Sequence, residues 1–372
     1  MIIFLKPYEE NMQSKIKLTA LATALCACGF VNAQSAAPSV TVFGIVDGGI
    51  SSTTNTGNGS QTTSGAVSSI LGVSAIGFKG DKDLGDGLTG FFNFMAGFNP
   101  TTGKLSDSST LFSRNAYIGL SSSMGSVSIG KQWDLNDDWI VGSVFKGGYN
   151  AGAVFKFSEF DAVSDLYNNT IKYVTPVSGG FQGAAMYGSN IGGSSTPTTA
   201  GSLTNIGVKY AAGPLMVAGT YFTEASTTST SSTYKLTTLG ASYASGAVKG
   251  RLGYATATTD GGVSYVSLGT VGKTNTANVV DVGVDYSVTP QLTLSLDQLA
   301  RKNTTLNNSS NITRFLAMYA WKPNTTLVFN VANLSNSTNA TESLLATQAG
   351  TTGGGYAGKS QQAIAAGVRF SF

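Results

Sequence analysis

The residues best suited to chemistry in this chain are charged ones gathered between positions 134 and 165. Asp137 and Asp138 lie in Asp134-Leu-Asn-Asp-Asp-Trp139, Lys146 and Lys156 in a Gly-rich run, and Glu159 and Asp161 in Ser158-Glu-Phe-Asp161. Covalent catalysis needs a nucleophile activated by a base. The chain has no His, which removes the commonest general base and the commonest metal ligand. Its two cysteines, Cys26 and Cys28, fall in an N-terminal segment read below as removed, leaving no thiolate, disulfide or sulfur ligand for zinc. Catalysis through carboxylates or Ser/Lys stays open as an alternative. The expected chemistry is electrostatic, with no catalytic residue, no metal and no cofactor.

These charges sit in a loop of thirty-two residues, and a connection that long without secondary structure is usually functional. On both sides the chain runs in short alternating segments of about ten residues. Composition agrees with a membrane β-structure. Residues are 41% hydrophobic but only 11% charged, with 47 Gly and 8 Pro, whereas soluble domains carry roughly 25% charged residues. Disorder needs high net charge, and a membrane helix needs runs of about 20 apolar residues. A transmembrane barrel, whose strands alternate apolar-out and polar-in, satisfies both exclusions.

Residues 1–33 read as a signal peptide. Lys15 and Lys17 form a basic region, Leu18 to Val31 an apolar one, and Val31-Asn32-Ala33 a small-residue cleavage site. Met12 is a possible true start, and cleavage would leave Gln34 at the N-terminus of a domain spanning 34–372. A membrane anchor and, through Leu25-Cys-Ala-Cys28, a lipoprotein box are the alternatives. Removing Lys6, Lys15, Lys17, Glu9 and Glu10 lowers the formal net charge from +3 to +2, too small to imply nucleic-acid binding.

Strands are predicted from Ser39 onward and near 67–79, 88–99, 111–121, 126–133, 166–175, 181–189, 203–211 and 215–223. Others lie near 234–244, 247–257, 277–288, 292–301, 312–321, 325–332 and 363–372. The total is about sixteen. In the first, Val40 and Val42 oppose Phe43, Ile45 and Asp47. In the last, Ile364, Ala366, Val368, Phe370 and Phe372 oppose Arg369. Short turns (122–125, 176–180, 212–214, 245–246, 289–291, 322–324) alternate with long polar loops (51–65, 190–202, 224–233, 258–275, 302–311, 333–361). Short connections on one rim and long ones on the other are the pattern of an antiparallel transmembrane barrel. The expected fold is all-β, about 16 strands, with the third loop folded inward.

Several stretches carry a resemblance: Val40-Thr-Val-Phe-Gly-Ile-Val-Asp47, Ile76-Gly-Phe-Lys-Gly80, Asp83-Leu-Gly-Asp-Gly-Leu88 and Phe112-Ser-Arg-Asn-Ala-Tyr-Ile-Gly-Leu120. Gly125-Ser-Val-Ser-Ile-Gly-Lys131, Asn168-Asn-Thr-Ile-Lys-Tyr173 and the terminal Phe372 complete it. In this order and spacing the chain resembles the trimeric general porins of Gram-negative outer membranes, most of all those of beta-proteobacteria. The resemblance implies a homotrimer in outer-membrane lipid and passive diffusion of small hydrophilic solutes and ions, weakly anion-selective or non-selective. It also implies that Phe372 is the signal read by the outer-membrane assembly machinery.

The same resemblance places a constriction where wall cations face loop acids. Its candidates are Arg114 and Lys172, with Lys79, Lys146 and Lys156, against Asp137, Asp138, Glu159 and Asp161. Strand parity groups Arg114 with Ala116 and Ile118, inward by the family pattern. Ala75 and Leu166 stand where arginines are usual, and Met95 where a glutamate is frequent. Trp133, Trp139 and Tyr117 suit either an aromatic girdle or packing. Rival readings are a solute-specific channel, an adhesin or receptor acting through the long loops, and a soluble repeat β-protein.

Overall fold

The computed structural model describes residues 39–56, 59–141, 143–144, 157, 165–189, 191, 201–225, 233–260, 275–344 and 357–372. The predicted signal peptide, with Met12 and the cleavage site, lies outside the described residues. So do Lys146, Lys156, Glu159 and Asp161.

The strands are β1 (Ser39–Thr56), β2 (Gln61–Val67), β3 (Ala75–Gly85), β4 (Leu88–Gly97), β5 (Asn115–Ser122) and β6 (Gly125–Trp133). After a one-turn helix α1 (Leu135–Trp139) come β7 (Leu166–Val174), β8 (Phe181–Gly188), β9 (Leu203–Ala212), β10 (Leu215–Ala225) and β11 (Thr233–Ser245). The remainder are β12 (Val248–Asp260), β13 (Asn275–Ser287), β14 (Leu292–Asn303), β15 (Asn308–Lys322), β16 (Thr325–Asn336) and β17 (Gln361–Ser371). All pair antiparallel in one sheet that closes through β1 and β17. Both β2 and β3 lie on β1, so they form one interrupted stave and the barrel has sixteen.

Side chains alternate across this wall as the period of two requires. Val40, Ile118 and Phe372 stand 65%, 61% and 59% exposed on the outside. With them, Val208, Leu252, Val282, Leu296 and Phe329 form an exposed apolar surface around the wall. Such a surface far exceeds what a soluble protein shows to water and suits lipid, where closure also leaves no backbone group unpaired. Phe181, Tyr243, Tyr286, Tyr319 and Trp321 project outward beside the short turns, as an interfacial aromatic girdle does. The polar alternates point inward: Asp47, Lys172, Asn205, Arg251, Asp297 and Arg369 are all buried.

The first and last strands carry the faces expected, and β17 joins β1 with Asp47 opposite Arg369. Four expectations need correction. The strand predicted over 67–79 is broken by an inward excursion at 68–74. The loop predicted at 302–311 is nearly all strand, because β14 runs to Asn303 and β15 starts at Asn308. The Ser/Thr-rich 51–65 segment is likewise largely a β1–β2 hairpin, in which Ser and Thr hydroxyls pair across the ladder. Above the bilayer both faces of a strand are polar, so alternation fades while pairing continues. Finally, the third loop opens with α1 rather than with irregular chain.

Candidate pore constriction

Helix α1 exists because Asp134 caps it: its Oδ1 accepts the Asp137 N–H at 2.9 Å, satisfying an otherwise unpaired donor. Asp137 and Asp138 in the first turn complement the positive end of the helix. The helix lies against the inner wall rather than outside it. Its first N–H, from Leu135, donates to Asn205 Oδ1 on β9 at 2.7 Å. The Trp139 ring covers Gly207 so closely that a Cβ there would lie 2.8 Å from it. Beyond the helix, Ile140 and Val144 press on Gly240 of β11, and the Val144 carbonyl accepts from Arg251 Nη1 on β12 at 2.7 Å. The described part of the third loop is therefore packed along the inside of β7–β12, and with Phe157 it forms one buried apolar cluster with the wall.

Lys172, on the inner face of β7, ties this loop to the wall. Its Nζ lies 2.6 Å from Asp138 Oδ2 and donates to the Trp133 carbonyl at 2.8 Å. Asp138 is thus one predicted acid that meets a predicted wall cation, and Asp137 beside it is fully buried. Lys209 on β9 stands 5.3 Å above the Trp139 ring.

Arg114 occupies a separate corner. It precedes β5 in a bend, so strand parity does not govern it. Ile118 in fact faces outward, which overturns the grouping of Arg114 with Ala116 and Ile118. The guanidinium nonetheless reaches the inner side. Its Cδ lies beside the inward face of Gly97, its Cζ is 4.6 Å above the Trp133 ring, and Nη2 is 3.9 Å from Asp165 Oδ2. Lys131 is nearby, bonded to Asn168 Oδ1 at 3.1 Å. Trp133 and Trp139 thus serve the interior rather than a girdle, and Tyr117 packs on Phe91 at 6.4 Å with its hydroxyl near Asn93.

Lys79 points inward, 5.2 Å over the Phe43 ring. Beside it Phe43, Ala75 and Met95 make a small apolar patch on the inner wall, and Leu166 is buried. On the far side Arg251 lies 3.0 Å from Asp285 and 2.6 Å from Asp297, and Arg314 is 3.1 Å from Asp297. At the long-loop rim Arg301 holds Glu342 at 3.4 Å, and Leu344 joins the same interior cluster as the third loop. Lys131, Lys209 and this ion network were missed by the sequence reading. The alternation held the signal, since Lys209 follows Val208, Arg251 precedes Leu252, and Asp297 follows Leu296, each neighbour outward-facing.

What the arrangement can do is electrostatic. Among the described residues the wall cation Lys172 and the loop carboxylate of Asp138 meet directly on the inner wall, where low-dielectric surroundings strengthen the field of such charges. Comparison with known proteins gives the family. The chain is 31% identical over 230 residues to an outer membrane porin protein of Bordetella pertussis, covering 55% of this chain and 59% of that protein. Among solved structures it superposes on an anion-selective porin from Comamonas acidovorans with a TM-score of 0.75 and 23% identity, covering 90% of this chain and all of the other. It matches outer-membrane-expressed OmpT of Vibrio cholerae with a TM-score of 0.64 and 16% identity, covering 92% and 100%. The family model described as Gram-negative porin matches residues 18–339, and the chain belongs to that family.

Proposed function

We propose that this chain forms a water-filled channel in which small hydrophilic solutes and ions diffuse passively, with a weak preference for anions. Members of the family reside in the Gram-negative outer membrane, and this chain is one of them. The observation that carries the reading is the Lys172–Asp138 tether, which holds the third loop inside the barrel. The wall cations Lys79, Lys131, Lys172 and Lys209, with Arg114, support the anion preference. The assembly is a homotrimer; one structure of the Vibrio cholerae relative is described as a trimer form. Residues 1–33 serve as the export signal, and selection by size and charge requires no catalytic group.

The test is single-channel current of the purified protein in a planar bilayer under a salt gradient. Steps grouped in threes, with a mildly anion-favouring reversal potential, are expected. Silence from correctly folded trimer would overturn the reading. The apolar patch of Phe43, Ala75 and Met95 favours a second reading, a channel selective for one class of solute. Flux that saturates at low solute concentration would select it, and linear flux would reject it.

A further inference from the structure

The break in the second stave is a built element. Val67 pairs with Gly49 and Ala75 with Ile45, so the seven residues 68–74 stand where β1 has three, at 46–48. The surplus chain turns inward. The carboxylate of Asp47 accepts three consecutive backbone N–H groups, from Ile70 at 2.7 Å, Leu71 at 2.9 Å and Gly72 at 3.0 Å. Ser74 closes the other end: its Oγ accepts the Asp47 N–H at 2.9 Å and donates to the Asp47 carbonyl at 3.0 Å. The partner of Asp47 across the β1–β17 seam is Arg369, whose Nη1 lies 3.7 Å from where a Cβ on Gly72 would stand.

The tip of this hook is apolar. Ile70 and Leu71 form one buried cluster with the inward-facing Leu316, Met318, Val328 and Ala365 of β15, β16 and β17. Ile70 sits directly over the seam, where Gly49 pairs with Gly367. A Cβ on either glycine would fall within 2.4 Å of Ile70 Cδ1, so two facing glycines make its seat. The cluster spans β15 to β1, three inter-strand steps or about 14 Å of wall. In the ring of sixteen staves the third loop is anchored on β7 to β12. The hook is anchored on β15 to β1, about half a turn away.

We propose that residues 68–74 form a second, fixed constriction element opposite the third loop, setting the upper size of solute that passes. A hook anchored by three N–H bonds to a buried carboxylate and by a side chain in a fitted seat narrows the lumen from the seam side. The third loop narrows it from the other, so releasing that loop alone does not open the full bore. This inference rests on the channel reading above and deepens it.

Two variants test it. In Gly72→Cys the new Cβ meets only Arg369 Nη1, at an ordinary 3.7 Å, at a half-buried position in the hook. Residues 34–372 contain no other cysteine. Adding a bulky cationic methanethiosulfonate reagent to the reconstituted channel is expected to reduce the current of this variant in discrete steps and to leave the parent unchanged. In the second variant Thr-Ser-Thr replaces residues 68–74, restoring a continuous stave. It is expected to conduct more and to admit larger uncharged sugars in liposome swelling. Parent channels with an unlabelled or current-silent Gly72→Cys thiol would overturn the hook while leaving the channel reading intact. So would a folded Thr-Ser-Thr variant of unchanged conductance and size limit. A parent without channel activity would overturn both, and if the Thr-Ser-Thr variant fails to fold, the cysteine readout decides.

Discussion

The ammonium of Lys172 on β7 lies 2.6 Å from the Asp138 carboxylate of α1, joining the barrel wall to the first turn of the third loop. Both side chains are largely buried, so removing either leaves the other charge buried without its partner unless the loop moves to expose it to water. Lys172→Met should shift the reversal potential toward cations and Asp138→Asn toward anions. Both should raise the frequency of brief current fluctuations, because each frees the same loop end. Opposite shifts with shared noise are the signature sought in single-channel records. Shifts of the same sign would place the pair outside the ion path.

Arg114 sits over Trp133 and beside Asp165. Arg114→Gln should move selectivity toward cations, and more so in dilute salt. Screening lengths are about 10 Å at 0.1 M and 3 Å at 1 M, so the difference between parent and variant should shrink as salt rises. An effect independent of salt would point to a change of pore shape instead.

Gly207 underlies the Trp139 ring. Gly207→Val places branched carbon where the ring now rests and should cost about 1–3 kcal/mol by overpacking, or displace the loop from the wall. A lowered temperature of the folded-to-unfolded mobility shift on electrophoresis, with altered conductance, is expected. An unchanged channel would show that the ring is not held there.

Arg251 joins Asp285, Asp297 and the Val144 carbonyl. Arg251→Met leaves buried carboxylates with less compensation and should destabilise by roughly 3–5 kcal/mol. The double change Arg251→Met with Asp297→Leu should recover part of that loss. If thermal unfolding shows the double variant to be the worse of the two, the network is not acting as one charge-balanced unit.

Phe372 exchanges backbone hydrogen bonds with Gly44, at 2.9 and 3.1 Å, and its ring covers that glycine. Deleting Phe372 should lower the amount of folded protein recovered from outer membranes. Refolding in detergent in vitro should be affected less, because the proposed assembly signal is then not needed. Equal losses in both settings would make Phe372 a packing residue alone.

Much of the barrel was legible as alternation. Val40, Val42, Ile364 and Phe370 against Asp47 and Arg369 sorted outside from inside before any pairing was known, because a strand's period of two is a local property. The turn at 212–214, by Gly213, was equally local. Lys172 was placed on the wall by the family resemblance, and its partner Asp138 by its place in a long loop. The break at 68–74 was not, since Ile70 and Leu71 continue an apolar pattern that a lipid-facing strand would also show. Nor was α1, whose single turn is too short to display a helical period.

The amino-acid sequence by itself determined a closed β-wall with an apolar outside, a polar inside, long loops on one rim and a charged third loop. The tertiary structure alone decided which charges meet. Lys172 finds Asp138, Arg114 finds Trp133 and Asp165, and Asp47 receives the hook. Each of these contacts joins residues on different elements. They become neighbours only once β1 has paired with β17 and the ring has fixed which staves stand beside and opposite one another.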